Sequence, residues 1–310
     1  MKYCVHVRNR PKILVIVGPT ASGKSALAVE LARKFGGEII SADSRQVYKG
    51  LDVGTGKIMK REMKGVRHYL LDVTSPKKNF SAGEFVHMAW KKIGDLIYQV
   101  KLPIVVGGTG FYIDALLGRI ALPNVPPNPQ LRARLKKKSA RELFSMLQKK
   151  DPRRARAMRS LSERGNRVRL IRAIEISATI GRVPRTKDSP PSNYDTLWVG
   201  IRPVDAELAR CIRIRLFARI RERGMIAEAK RLHSSGLSYR RMEELGLEYR
   251  SLARHLRGEI SKEEMVRELE RDIRKYAKKQ LAYWKRNDDI QWFKPEEKRI
   301  VSTVRAWLRK

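Results

Sequence analysis

The 310-residue chain has few cysteines, few acidic residues and no long apolar run. Its two cysteines, Cys4 and Cys211, belong to no C-x-x-C pair. That spacing offers no zinc pattern, and two thiols make no disulfide framework, so both read as ordinary reduced cysteines. The longest apolar stretches, such as Ile13 to Val17, fall far short of the roughly 18 residues a membrane span requires. The N-terminal M-K-Y-C-V-H-V-R-N-R has no apolar signal-peptide core. A cytoplasmic protein with no membrane association is expected. An apolar content of 42% fits a soluble globular chain and argues against global disorder.

Positive charge is in excess. There are 68 Lys and Arg against 32 Asp and Glu, a formal net charge of +36. Such a surplus repels itself in the folded state and attracts polyanions, above all nucleic acid, whose phosphates dominate its binding to proteins. A Lys/Arg-rich proteome would add to the surplus without implying a function. The charge is unevenly placed: residues 131–187 hold 19 Lys and Arg against four acids, Glu142, Asp151, Glu163 and Glu175. A solvated helical surface mixes signs, so this block reads as a binding face.

Apolar periodicity lays out alternating strands and helices. Ile13 to Val17 has the continuous apolar character of a central parallel strand. In Lys24 to Phe35, residues Leu27, Ala28, Leu31 and Ala32 recur at helical spacing, and Gly36-Gly37 ends the helix. Glu38 to Ala42 reads as a second strand, completing a right-handed βαβ unit. Ala82 to Val100 predicts a helix; Pro103 to Val106 and Leu197 to Ile201 predict strands. Proline-rich L-P-N-V-P-P-N-P at 122–129 and Pro190-Pro191 break regular structure. They divide the chain into 1–122, 123–190 and 191–310: the first part of a core, a basic helical insert, and the rest of the core with C-terminal helices. Ile273, Tyr276, Ala277, Gln280, Leu281 and Trp284 mark one face of a late helix. Tyr276, Tyr283, Trp284 and Trp292 are expected in the core.

Between the first strand and helix, Gly18, Pro19, Thr20, Ala21, Ser22, Gly23, Lys24 and Ser25 spell G-x-x-x-x-G-K-[ST]. Backbone N–H groups of such a loop converge on phosphate oxygens, Lys24 supplies a cation, and Ser25 can ligate Mg²⁺ or a phosphate oxygen. The expected fold class is therefore α/β, a P-loop doubly wound parallel sheet core with a helical insert domain and a helical C-terminal region. The cradle alone does not choose between hydrolysing a nucleotide, passing on a phosphoryl group and other chemistry. A P-loop NTPase carries a Mg²⁺-binding Asp at the end of another strand, yet here Ile104 to Val106 runs into Gly107-Gly108-Thr109-Gly110. Those glycines allow close approach to a ligand, or simply a tight turn. Asp43, at the end of the second strand and beside the loop after the first, could bind Mg²⁺, cap a helix or act as a base.

Five stretches together resemble the tRNA dimethylallyltransferases (isopentenyl-tRNA transferases). They are G-P-T-A-S-G-K-S at 18–25, I-S-A-D-S-R-Q-V-Y-K-G-L-D-V-G-T-G-K at 40–57, V-V-G-G-T-G-F-Y at 105–112, N-R-V-R-L-I-R-A-I-E-I at 166–176, and G-E-I-S with R-K-Y-A-K-K-Q-L-A-Y-W at 258–284. The resemblance implies transfer of a dimethylallyl group from dimethylallyl diphosphate to N6 of the adenosine 3′ of the anticodon (tRNA position 37), in tRNAs reading codons that begin with U. The cradle would then hold a leaving diphosphate. Lys24, Ser25 with Mg²⁺, Thr109 and Arg215 would clamp it, and Asp43 would be the general base.

The same resemblance implies that Asp43, Ser44, Arg45 and Gln46 contact an extruded base, with Thr109, Arg169, Arg172, Lys278 and Lys279 also meeting the anticodon stem-loop of the tRNA. Arg172 and Glu175 could instead form an i, i+3 surface pair. A bacterial-type, monomeric enzyme without a zinc-finger extension is expected. Three positions depart from the family pattern: Cys211 and Glu248 where it has cations, and Ile273 where it has Thr. The competing readings are an adenylate (AMP) dimethylallyltransferase, a P-loop kinase or NTPase, and a non-catalytic RNA-binding protein.

Overall fold

Ile13 to Val17 are fully buried, and the strand they form, β1 (Lys12–Val17), lies in the middle of a six-stranded sheet. Each such side chain contributes roughly 1.5–3 kcal/mol through burial. The computed structural model describes residues 10–185 and 193–310; Cys4, Lys187 and the expected boundary at Pro190-Pro191 lie outside the described residues.

The other strands are β2 (Gly37–Ser41), β3 (His68–Tyr69), β4 (Leu102–Gly107), β5 (Asp195–Ile201) and β6 (Ile290–Phe293). All pair in parallel, in the order β3-β2-β4-β1-β5-β6. Strand β4 therefore separates β1 from β2. The loop after β4 lies between the loops after β1 and β2, and Asp43 at the end of β2 lines one cavity with Thr20 and Lys24 of the first loop, as expected.

Two compact units make up the described residues, one of 10–117 with 193–310 and one of 118–185. The first carries the sheet with α1 (Lys24–Phe35), α2 (Lys60–Met63), α3 (Ala82–Tyr98) and α4 (Gly110–Leu116). Side chains alternate across β1, so Leu14 and Ile16 join Leu31 of α1 on one face. On α3, Phe85, Ala89, Ile93 and Leu96 are buried, and Ser81 caps its first turn by accepting from the Glu84 N–H at 3.2 Å.

The second unit is helical: α5 (Pro129–Leu135), α6 (Ala140–Lys150), α7 (Pro152–Ala157), α8 (Leu161–Arg164) and α9 (Arg167–Ile180). Each begins on an Asn, Ser or Asp whose side chain caps a backbone N–H. Leu135, Leu143, Leu147, Leu170 and Ile174 form its core.

The chain returns to the first unit with α10 (Asp205–Arg221), α11 (Met225–Ser234), α12 (Tyr239–Leu245), α13 (Leu247–Leu256) and α14 (Lys262–Trp284), then β6 and α15 (Arg299–Arg309). A helical core joins Leu216, Met242, Leu252, Leu269 and Ala277. The C-terminal region is thus not wholly helical, since β6 adds an edge strand to the sheet. Trp284 is fully buried as expected, whereas Tyr276, Tyr283 and Trp292 are only half-buried. Among the described residues no helix is long and apolar enough to cross a membrane.

Candidate active site

Val17 pairs with Gly107 and Ser41 with Val106, so β1, β4 and β2 end level and their loops emerge side by side. Gly18 (φ 153°) passes so close to β5 that a Cβ on it would lie 2.7 Å from the Ile201 carbonyl oxygen. Gly23 (φ 85°) takes the left-handed turn that starts α1. Pro19, Thr20, Ala21 and Ser22 span the distance between them, above a helix N-terminus whose free N–H groups favour an anion.

Lys24 is half-buried, and its Nζ donates to the Pro19 carbonyl at 3.0 Å. Burial pushes its pKa down to about 8, the Asp43 carboxylate opposes that shift, and Arg215 adds to it. Ser22 Oγ is buried and makes no hydrogen bond. Such atoms are rare in folded proteins, and an anion in the loop would give this one an acceptor.

Asp43 follows β2. Its Oδ1 accepts from the N–H groups of Arg45 (2.8 Å) and Gln46 (3.3 Å), which closes a tight turn. Oδ2 has no hydrogen-bond partner among the described residues, so capping and proton acceptance would use different oxygens. Thr109 Oγ1 accepts from the Ser44 N–H at 3.0 Å and lies 3.4 Å from Ser44 Oγ. Its hydroxyl steadies the Asp43 turn and is not part of the cavity wall described below.

At Gly107 and Gly108 the close backbone approach is to protein, while Gly107 also lines the cavity described below. A Cβ on Gly107 would lie 2.1 Å from the Ala42 carbonyl oxygen, and one on Gly108 2.1 Å from Gln280 Nε2. Gln280, buried on α14, donates to the Gly108 carbonyl (3.0 Å) and accepts from the Thr20 N–H (2.8 Å). One side chain thereby ties the phosphate-type loop to the loop after β4.

Thr20, Lys24, Asp43, Arg215, Tyr276 and Gln280 line one cavity, with Ile58, Val106, Leu247 and Ile273 as its apolar wall. A neighbouring cavity shares Lys24, Ser25 and Arg215 and adds Ser22, Arg219 and Arg223. Tyr276 is therefore a wall of the site as well as a packing residue. Burial, together with the nearby Asp43 and Glu248 carboxylates, pushes its phenol pKa up.

Three buried charges, Glu228, Lys57 and Arg219, shape the 52–57 stretch, D-V-G-T-G-K. Glu228 accepts from the N–H groups of Asp52 (2.9 Å), Val53 (2.7 Å) and Gly54 (2.8 Å), and from the Tyr249 hydroxyl (2.7 Å). Lys57 reaches Asp52 (2.6 Å), Asp72 (2.5 Å) and the Tyr48 carbonyl (3.0 Å). Arg219, also buried, donates to the Gly54 carbonyl (2.8 Å) and lies 3.2 Å from Glu248. Of the three departures, Cys211 stands half-buried one helical turn before Arg215, Ile273 joins the cavity wall, and Glu248 serves Arg219 as a counter-charge.

Periodicity alone does not point to Lys57, Arg219, Glu228 or Gln280. The usable signals were Lys57 within a quoted motif, and an amide at position 280 on an otherwise apolar stripe.

Among the described residues no group of three His, Cys, Asp or Glu could hold a metal ion. Mg²⁺ is commonly bound by one or two protein oxygens together with substrate phosphates. The Ser25 hydroxyl, exposed at both cavities, fits that donor set.

In the second unit Arg169 is exposed, 3.9 Å from Glu163. Arg172 behaves otherwise. It pairs with buried Glu175 and donates to the Val125 carbonyl at 2.8 Å, so it braces its own unit and is not an open cation. Lys278 and Lys279 are exposed on α14.

A family model described as IPP transferase matches residues 46–287. A tRNA dimethylallyltransferase 2 of Citrifermentans bemidjiense is 41% identical over 276 residues, 89% of this chain and 87% of that protein. The tRNA dimethylallyltransferase of Halothermothrix orenii is 35% identical over 308 residues, 96% and 92% of the two chains. Among solved structures, the full-length tRNA isopentenylpyrophosphate transferase of Bacillus halodurans superposes with a TM-score of 0.71 at 31% identity, covering 97% of this chain and 96% of its own. A eukaryotic dimethylallyltransferase acting on tRNA superposes with a TM-score of 0.80 at 23% identity, covering 96% of this chain and 77% of its own, which speaks for the fold.

Proposed function

This chain belongs to the IPP transferase family, and on that premise we propose that it transfers the dimethylallyl group of dimethylallyl diphosphate to N6 of the adenosine 3′ of the anticodon in tRNA. The observation that carries this reading is that Lys24 and Asp43 line one cavity, near enough for the carboxylate to affect the ammonium's proton affinity. A cradle for a phosphate leaving group thus adjoins a proton acceptor.

The allylic carbon–oxygen bond breaks, and its electron pair leaves with the diphosphate. Negative charge grows on oxygens that face the N–H groups starting α1, Lys24, the Ser22 hydroxyl and Arg215, where fixed donors stabilise it. Ser25 would hold Mg²⁺, which supplies further positive charge to the diphosphate when bound. The N6 lone pair forms the new carbon–nitrogen bond. Asp43 Oδ2 takes the proton N6 releases, while Oδ1 stays bound to the Arg45 and Gln46 N–H groups. General-base help of this kind is typically worth ~10²–10⁴ in rate.

The target base must leave its stack to reach this cavity. Asp43 to Gln46 would meet it, while Arg169, Lys278 and Lys279 supply phosphate contacts. The reading carries with it a cytoplasmic monomer.

The test is mass spectrometry of tRNA after incubation with dimethylallyl diphosphate and either wild type or Asp43→Ala, with AMP and ATP as competing acceptor and donor. Prenylated adenosine in tRNA is expected from wild type and almost none from the variant. Equal yields would remove Asp43 from its role, and prenylation of AMP alone would replace the substrate.

A further inference from the structure

The junction of α12 and α13 lines the same cavity as the Asp43 turn. It is bent by two successive positive φ values, Gly246 at 75° and Leu247 at 36°. Gly246 sits beneath Arg45, whose Nη2 would be 3.8 Å from a Cβ there. The left-handed region is costly for a leucine, and the bend sets Leu245 to Glu248 along the cavity wall. Glu248 Oε1 lies 3.2 Å from Arg219 Nη1, while Oε2 has no hydrogen-bond partner among the described residues.

Phosphates repel a carboxylate. The groups of an RNA that it can engage are hydrogen donors: base amino or imino N–H and ribose hydroxyls. A carboxylate with one oxygen committed to protein and one left over, in the cavity of a chain with net charge +36, is placed to accept from such a donor. Asp43, Glu248 and Tyr276 line the same cavity, and both carboxylates are close enough to Tyr276 to raise its pKa.

We propose that Glu248 is a specificity-determining residue that accepts a hydrogen bond from an N–H or 2′-hydroxyl donor of the RNA beside the reacting amine. The proposal rests on the reading that RNA enters this cavity. Its partner donor lies on the target nucleotide's ribose or on a flanking nucleotide, since the reacting N6 is served by Asp43.

The test uses synthetic anticodon stem-loops in which single changes remove one donor at a time. A purine riboside replaces each flanking adenosine to delete an amino group, or a 2′-deoxynucleotide deletes a hydroxyl at the target or a neighbour. kcat/KM for prenyl transfer is measured with wild type and Glu248→Gln, which keeps an acceptor for Arg219. One deletion is expected to cost wild type roughly tenfold and to cost Glu248→Gln less than twofold, and the deletion that does so identifies the donor. Should Glu248→Gln not fold, Glu248→Asp keeps the negative charge while drawing the carboxylate back by one methylene from the RNA donor, and it should show the same collapse. Equal losses in wild type and variant for every deletion would overturn the proposal and leave Glu248 as a counter-ion of Arg219. Failure of wild type to prenylate any stem-loop would instead sink the underlying reading.

Discussion

The Gln280 carboxamide accepts from the Thr20 N–H at 2.8 Å, joining the last third of the chain to its first loop. Its other end holds the Gly108 carbonyl, so one buried amide sets the spacing of two loops that flank the reaction space. Replacing Gln280 by Leu would leave both backbone groups unpaired, at a cost of about 1–3 kcal/mol each if water cannot reach them. A thermal midpoint several degrees lower is expected. A fall in kcat of ~10²-fold should accompany it, because small misplacements of a preorganised site are expensive. Glu in place of Gln keeps the bond to Thr20 but cannot donate to Gly108, and should fall between the two. Wild-type kcat in the Leu variant, measured in single turnovers, would show that the staple serves folding alone.

Lys24 sets a pH dependence whose sign is fixed by the direction of its shift. Its pKa in the folded chain is about 8, below the ordinary 10.5. Below pH 8 both folded and unfolded chains carry the ammonium, and folding bears the full cost of burying it. As pH rises from about 8 towards 10.5 the folded chain releases the proton first, and that cost is relieved. An anion in the cradle acts oppositely, since it favours the charged form. Dimethylallyl diphosphate affinity is therefore expected to be flat just below pH 8 and to weaken up to tenfold per unit above it. Lys24→Met should bind more weakly at pH 7.5 and lose that slope. Titration calorimetry in two buffers of different ionisation enthalpy would read the accompanying proton uptake above pH 8.

Much of this was legible because it is local. The run Ile13 to Val17, the loop 18–25 and the helix Lys24 to Phe35 are fixed by neighbours in the chain, and they stand where periodicity places them. Strand β3 has two residues and β6 four, too short for any period to show. The intervention of β4 between β1 and β2 is a matter of which edge a returning strand chooses, and no local pattern encodes it. The buried roles of Glu228, Arg219 and Gln280 depend on partners 21 to 260 residues distant. Arg172 is the instructive case. Its i, i+3 relation to Glu175 is visible in the sequence, but the burial that turns a weak surface pair into a brace comes from tertiary packing.

That brace yields a prediction that separates folding from RNA binding. Glu175 is 1% exposed and is met by Arg132 Nε (2.8 Å) and Nη2 (2.7 Å), by the Asn128 N–H (2.6 Å) and by Arg172. Burial alone would raise its pKa, but the hydrogen bonds from Arg132, Asn128 and Arg172 outweigh it and hold the group at about 2, against an ordinary 4.5. A carboxylate with a lowered pKa contributes stability that is present above 4.5 and is lost as pH falls towards 2. Here that is on the order of 2–3 kcal/mol. Hydrogen exchange in α9, read in the full chain, should show Glu175→Gln and Arg172→Ala opening more readily than wild type at pH 7. The gap for Glu175→Gln should narrow as pH drops below 4.5. Arg169→Ala, at an exposed site with only a long contact to Glu163, should leave exchange unchanged and instead weaken tRNA binding, reducing its salt dependence by about one phosphate contact. If Arg172→Ala weakened binding while α9 kept its protection, Arg172 would be an RNA contact after all and the brace dispensable.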